Sequence, residues 1–133
     1  MTSTERKRRI LVVEDDDQTR QQVTEYFQNA GYETRYARSG GEGFDAVSKE
    51  PDFDFILTDY NMLPMNGLDM IDNIKSKIPA CKAVFVVLST EKDSDLTRRS
   101  KQLGVKLWML KPFDGPTLND TLKLLMKRGL AAS

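Results

Sequence analysis

Short apolar runs alternate along this chain with stretches in which apolar residues recur every three or four positions. Four of the runs stop on polar groups: Ile10–Val13 on Glu14 and Asp15, Phe55–Thr58 on Asp59, Val84–Leu88 on Ser89, and Val105–Leu110 on Lys111. Such runs read as buried strands, and Glu33–Ala37 supplies a further one. Between them, Val23, Tyr26, Phe27 and Ala30 share a helical face closed by Gly31. Leu68, Ile71 and Ile74 share another within Gly67–Lys77, which Pro79 ends. The alternation of strand and helix predicts βαβ units and an α/β fold, with a parallel sheet covered on both faces.

Three segments give weaker signals. Gly40-Gly41-Glu42-Gly43 is expected to be a loop leading into a short helix at Phe44–Lys49, which Pro51 ends. It follows the second strand and lacks GxGxxG spacing, so it reads as a turn and not as a phosphate cradle. Between Asp93 and Leu103 only Leu96 and Leu103 are strongly apolar, while Arg98, Arg99 and Lys101 face elsewhere, which predicts a loosely packed, mobile helix. The last helix is expected to begin at Asp114 as N-cap with Pro116 in its first turn, and to bury Leu118, Leu122 and Leu125 before Gly129.

If the strands are parallel, their carboxyl ends share one edge. Three carboxylates (Glu14, Asp15, Asp59), the Ser89 hydroxyl and the Lys111 ammonium then converge in one crevice. Asp16 and Asp17 are explained by a helix start, where a carboxylate gains about 0.3–1 kcal/mol. Glu14 and Asp15 beside Asp59 would repel one another strongly, and a divalent cation is the simplest relief. All-oxygen ligands without His or Cys favour Mg²⁺. Asp59 reads as a nucleophilic carboxylate able to form an acyl phosphate, with Lys111 and Ser89 placed for two phosphoryl oxygens.

The 133 residues amount to one domain, divided here into a basic tail at 1–9, the domain at 10–128 and a short tail at 129–133. Twenty basic residues balance twenty acidic ones, so no overall field draws the protein to nucleic acid. The Arg6-Lys7-Arg8-Arg9 cluster reads as a solvated leader into the first strand. With Cys81 alone no internal disulfide can form, which points to a reduced compartment, and this residue reads as small apolar filler near the start of a strand. The run Ala83–Leu88 is far too short to cross a membrane, and Met1–Arg9 precedes no apolar stretch of the signal-peptide kind. The expectation is a cytoplasmic protein without membrane insertion.

Four segments, LVVEDD, TDYNMLPMNGLDM, VVLSTE and LKPF, resemble in order and spacing the receiver domains of two-component response regulators. Within that family the resemblance is to the single-domain CheY-like proteins of chemotaxis, over roughly Ile10–Arg128. It implies a flavodoxin-like (βα)5 fold, a doubly wound five-stranded sheet of order 2-1-3-4-5. It further implies that Asp59 is the phosphoacceptor, that Glu14, Asp15, Asp59 and the Asn61 carbonyl hold Mg²⁺, and that Lys111 pairs with the phosphoryl group. Ser89 takes the hydroxyl position of the switch and Trp108 its aromatic position, the indole turning inward on phosphorylation. Asn61 and Glu91 correspond to positions that modulate dephosphorylation. The implied partners are a sensor histidine kinase as phosphodonor, a target protein such as a flagellar motor switch, and a phosphatase. The protein itself is expected to be a signalling phosphoacceptor that assists only its own phosphorylation and dephosphorylation.

The chain departs from the family pattern at three places. Pro64 falls five residues after Asp59 instead of four, Thr90 replaces a small residue after the hydroxyl, and Trp108 replaces Tyr or Phe. A buried indole needs room and a partner for its N–H. Two alternatives use the same aspartate: a phosphorelay shuttle, and a phosphatase of the haloacid-dehalogenase type. The latter needs a second acid two residues on, where Asn61 stands. A flavodoxin-like FMN carrier would need a hydroxyl- and glycine-rich phosphate loop after the first strand, where Glu14–Asp17 would repel the phosphate.

Overall fold

A computed structural model describes residues 7–127 of the chain; Arg6, Gly129 and the 129–133 tail lie outside them. Its elements run β1 (Arg9–Val13), α1 (Asp17–Asn29), β2 (Glu33–Ala37), α2 (Gly40–Lys49), β3 (Phe55–Asp59), α3 (Gly67–Lys77), β4 (Val84–Ser89), α4 (Ser94–Gln102), β5 (Leu107–Leu110) and α5 (Gly115–Lys127). The five strands are parallel and lie in the order β2-β1-β3-β4-β5, the expected doubly wound arrangement.

The strand period of two sorts the core into two layers. Leu11, Val13, Ile56, Phe85 and Val87 face one way and meet Val47, Leu68, Met70, Ile71 and Ile74 of α2 and α3. Ile10, Val12, Phe55, Leu57, Val84, Val86 and Leu88 face the other way and meet Val23 and Phe27 of α1 and Leu118 and Leu122 of α5. Because β1, β3 and β4 are covered on both faces, every residue in them is buried, which is why their sequences are so nearly continuous in apolar residues.

β5, at the sheet edge, differs from the expected buried strand. It begins at Leu107 because the Val105 amide is committed to the Ser100 carbonyl in the turn after α4, and its residues are half-buried, with Leu110 46% exposed. α4 packs lightly, as its composition predicts: it buries Ser100, and Leu96 and Leu103 are only partly covered. An ion pair from Arg99 to Asp69 of α3, 2.7 Å long, ties it down.

The glycine-rich segment is helical and not a loop. Ser39 caps α2 by accepting from the Glu42 amide, so the helix starts at Gly40 and the glycines form its first turn. Helix propensity argues against them, but packing requires the last: a Cβ on Gly43 would lie 2.6 Å from the Met70 sulfur and 3.1 Å from Val13. Asp114 caps α5 as expected, accepting from the Thr117 amide.

Arg9 overturns its reading as part of a solvated leader. It opens β1 and is 7% exposed, and its guanidinium meets Glu33 (3.2 Å), Glu50 (3.0 Å) and Asp52 while lying over the Phe53 ring. Its amide donates to Asp54. Lys7 and Arg8 are exposed.

Candidate functional site

The sheet register brings the expected strand ends together. Val13 pairs with Thr58, Asp59 with Leu88, and Ser89 with Leu110, so the residues that follow β1 and β5 open on the same edge as Asp59 and Ser89. Lys111 Nζ lies 3.0 Å from Glu14 Oε1 and 3.2 Å from Asp59 Oδ1. Glu14 and Asp59 are 4% and 5% exposed, whereas Asp15 is open to solvent. One carboxylate oxygen from each of the three acids lies within 4.8 Å of the others.

Asp59 is held from behind by its own chain. Thr58 Oγ donates to the Asp59 carbonyl, and the first residue of α3 presses against that carbonyl so closely that a Cβ on Gly67 would come within 2.4 Å of the oxygen. Gly67 therefore lets α3 start directly against the end of β3. The Asp59 main chain has little freedom, which favours a fixed carboxylate.

Three buried or half-buried ionisable groups share this crevice. Burial, reinforced by the charge of Asp59, pushes the Glu14 carboxyl up to about 7, against the opposing hydrogen bonds from Lys111 and the Asp16 amide. Burial pulls the Lys111 ammonium down, but its hydrogen bond to Glu14 and the charges of Asp59 and Glu14 together outweigh this and leave it above its usual value. One cation thus shares two carboxylates with a third close by, and negative charge is in excess. That donor set, all oxygen and under-neutralised, fits a hard divalent cation.

Asn61, Ser89, Glu91 and Trp108 form a second group beside the first. Asn61 Nδ2 donates to Glu91 Oε2 at 2.8 Å, and the Ser89 hydroxyl accepts from the Glu91 amide at 2.9 Å while lying 3.4 Å from Asn61 Oδ1. Trp108 Nε1 donates to the Glu91 carbonyl at 2.8 Å, which supplies the partner the indole requires, and its ring is tilted against Tyr60 at 5.7 Å. Glu91 therefore joins the loop after β3 to β5 through side chain and main chain at once. Thr90 is exposed and lines an open groove of about 480 Å³ with Lys111, Pro112, Phe113 and Tyr26, while Leu63, 88% exposed, and Pro64 border a depression shared by Asp15 and Asn61.

The sequence reading missed Arg20. It is 8% exposed, donates to the Glu14 carbonyl and pairs with Asp17. A signal was present: Arg20 falls on the same helical stripe as Val23 and Phe27, so it had to be buried with them.

A parallel sheet of this order, with acids and a lysine converging on its carboxyl edge, defines a doubly wound α/β domain with a charged crevice at the strand ends. The chain belongs to the response regulator receiver domain family, whose profile matches residues 10–123. It is 28% identical over 120 residues to chemotaxis protein CheY-3 of Vibrio cholerae, covering 90% of this chain and 92% of that one. It is 29% identical over 115 residues to sporulation initiation phosphotransferase F of Bacillus subtilis, covering 86% and 90%. Among solved structures, chemotaxis protein CheY4 of Vibrio cholerae superposes with a TM-score of 0.83 at 30% identity, over 90% of this chain and 98% of that one. Receiver domains are signalling modules and not enzymes in the ordinary sense. Among the described residues no helix is long and apolar enough to cross a membrane.

Proposed function

We propose that this protein is a phosphorylation switch in which Asp59 accepts a phosphoryl group from the phosphohistidine of a sensor kinase and alters the binding of a target protein. The N–P bond of the donor breaks as an O–P bond forms on Asp59; hydrolysis of that acyl phosphate later returns the carboxylate. The observation that carries the reading is Lys111 bridging Glu14 and Asp59 at 3.0 and 3.2 Å beside an open third carboxylate. Lys111 holds a positive charge where phosphoryl oxygens arrive, and gives up its contact to Asp59 to meet them.

Glu14, Asp15, Asp59 and the Asn61 carbonyl would hold Mg²⁺. When bound, the cation neutralises charge on the transferring group. Ser89, whose hydroxyl contacts only Glu91 and Asn61 among the described residues, is free to re-aim toward a phosphorylated Asp59. That movement releases the Glu91 amide, and with it the loop whose carbonyl holds the Trp108 indole. Light packing of α4 leaves this side of the molecule able to follow. Asn61 and Glu91, paired at 2.8 Å, flank the path by which water reaches the acyl phosphate and so modulate its lifetime.

Chemotaxis is the leading setting, with the flagellar motor switch as target, given the similarity to CheY-3 over nearly the full length of both chains. A phosphorelay shuttle is the second reading, favoured by the comparable similarity to the sporulation phosphotransferase. The test is fluorescence of Trp108, the sole tryptophan. Beryllofluoride with Mg²⁺ should change its emission, and Asp59→Asn should abolish the change. An unaltered spectrum in a protein shown to carry the adduct would defeat the coupling of Trp108 to the site.

A further inference from the structure

Four consecutive acids, Glu14 to Asp17, make the turn from β1 into α1, and one buried cation organises them. Arg20 Nη1 donates to the Glu14 carbonyl at 3.1 Å, and Nη2 pairs with Asp17 Oδ1 at 2.6 Å. The Arg20 amide donates to the Asp16 carbonyl at 2.9 Å. The guanidinium lies 5.5 Å from the centre of the Tyr36 ring of β2, so both its edges and its face are engaged. With the side chain so enclosed, the fork is fixed, and so are the two points of the turn that it touches.

We propose that Arg20 is a positioning residue for the cation site: by clamping the Glu14 carbonyl and Asp17 it holds the Glu14 and Asp15 carboxylates at the spacing a divalent cation needs. The inference rests on the crevice being the Mg²⁺-dependent phosphoacceptor site proposed above. Asp17 is engaged by its pairing with Arg20, and Asp16 is occupied capping α1 by accepting from the Thr19 amide at 2.8 Å. Glu14 and Asp15 are the acids of this turn left to the crevice, with Asp59, and the clamp fixes their main chain.

Position and bulk charge predict opposite signs. A positive group next to an acidic site repels Mg²⁺, so if charge alone mattered, removing Arg20 would tighten binding. Loss of a group that orients a metal's ligands weakens binding, typically by 10- to 100-fold. Because Arg20 acts on the main chain of one ligand and not on its carboxylate, the lower end applies.

The experiment is a Mg²⁺ titration followed by the backbone amide resonances of Glu14–Asp17, with no phosphodonor present. Arg20→Lys, which keeps the charge but loses the fork, should bind Mg²⁺ about 10-fold more weakly than the wild type, and Arg20→Gln should weaken it as much. Tyr36→Leu removes the ring beneath the guanidinium without touching the acidic turn and should give an intermediate loss; it serves if Arg20→Gln does not fold. Wild-type affinity in Arg20→Lys together with a lowered melting temperature would reduce Arg20 to a structural residue and overturn the proposal. Tighter binding in Arg20→Gln would overturn it in favour of bulk charge. A wild type whose resonances ignore Mg²⁺ would instead remove the functional reading on which the inference stands.

Discussion

Two charged clusters occupy opposite ends of the same sheet, and their difference separates a group that holds the fold from the group to which we assign the chemistry. At the amino end, Arg9 is buried while its partners Glu33, Glu50 and Asp52 keep 43%, 44% and 69% of their side chains in water. At the carboxyl end, Lys111 is the more accessible partner at 21%, and Glu14 and Asp59 are shut in at 5% and 7%. Arg9 is a buried cation whose carboxylates remain hydrated, so each contact is attractive and the group is at rest. The Lys111 group encloses its anions with too little positive charge, and is poised to take up a cation.

The widest divergence between the clusters is in their response to pH. Glu14 ionises near its ordinary value of 4.5 in the unfolded chain but at about 7 in the fold. Between those values the folded state keeps a proton that the unfolded state has lost, so this group's contribution to stability falls as pH rises from about 4.5 to about 7 and then levels off. At about 1.4 kcal/mol per unit, the limit is on the order of 3–4 kcal/mol. Urea midpoints in EDTA should fall across that interval, and Glu14→Gln should flatten the fall; an equally steep fall in the variant would assign it elsewhere.

Next in size is Arg9→Met. It leaves Glu33, Glu50 and Asp52 without their shared cation, but these rehydrate easily, so the loss should be about 2 kcal/mol and not the larger figure typical of fully buried pairs. Phosphorylation of Asp59 should proceed at the wild-type rate, because the whole sheet lies between the clusters. A slowed rate at a temperature where the variant is folded would break the separation drawn here.

Smaller still, and opposite in sign, are two neutralisations. Asp59→Asn removes a repelling carboxylate and should stabilise the metal-free protein by about 1 kcal/mol. Asp52→Asn removes an attractive partner, mostly in water, and should cost about 0.5 kcal/mol or less. Chemical denaturation in EDTA reads both, and the same sign at both positions would contradict the contrast.

The sequence makes these two ends unequally legible. Acids and lysine at the carboxyl end are visible because each terminates an apolar run, and parallel strands align their ends; Glu14, Asp15, Asp59 and Lys111 therefore meet as expected. Arg9 is not visible, because it adjoins other basic residues, and only the fold brings acids from β2 and from the α2–β3 connection to it. Arg20 could be read only from its place on the helical stripe of Val23 and Phe27. The glycines at 40–43 misled through their propensity: the reason for Gly43 is the approach of Met70 and Val13, a tertiary contact no local rule contains. By contrast β1, β3 and β4 could be read to within a residue, since burial on both faces keeps their sequences nearly continuous in apolar residues, with polar groups mostly at their ends.

The central claim is that Asp59 is the group phosphorylated, with a divalent cation required. Intact-mass and peptide-level mass spectrometry after incubation with a small phosphodonor tests it most directly. The expected result is one phosphoryl group per chain, on Asp59, formed with Mg²⁺, absent in EDTA and absent in Asp59→Asn. A phosphoryl group on another residue of the wild type, or one formed as readily in Asp59→Asn or without Mg²⁺, would contradict the account.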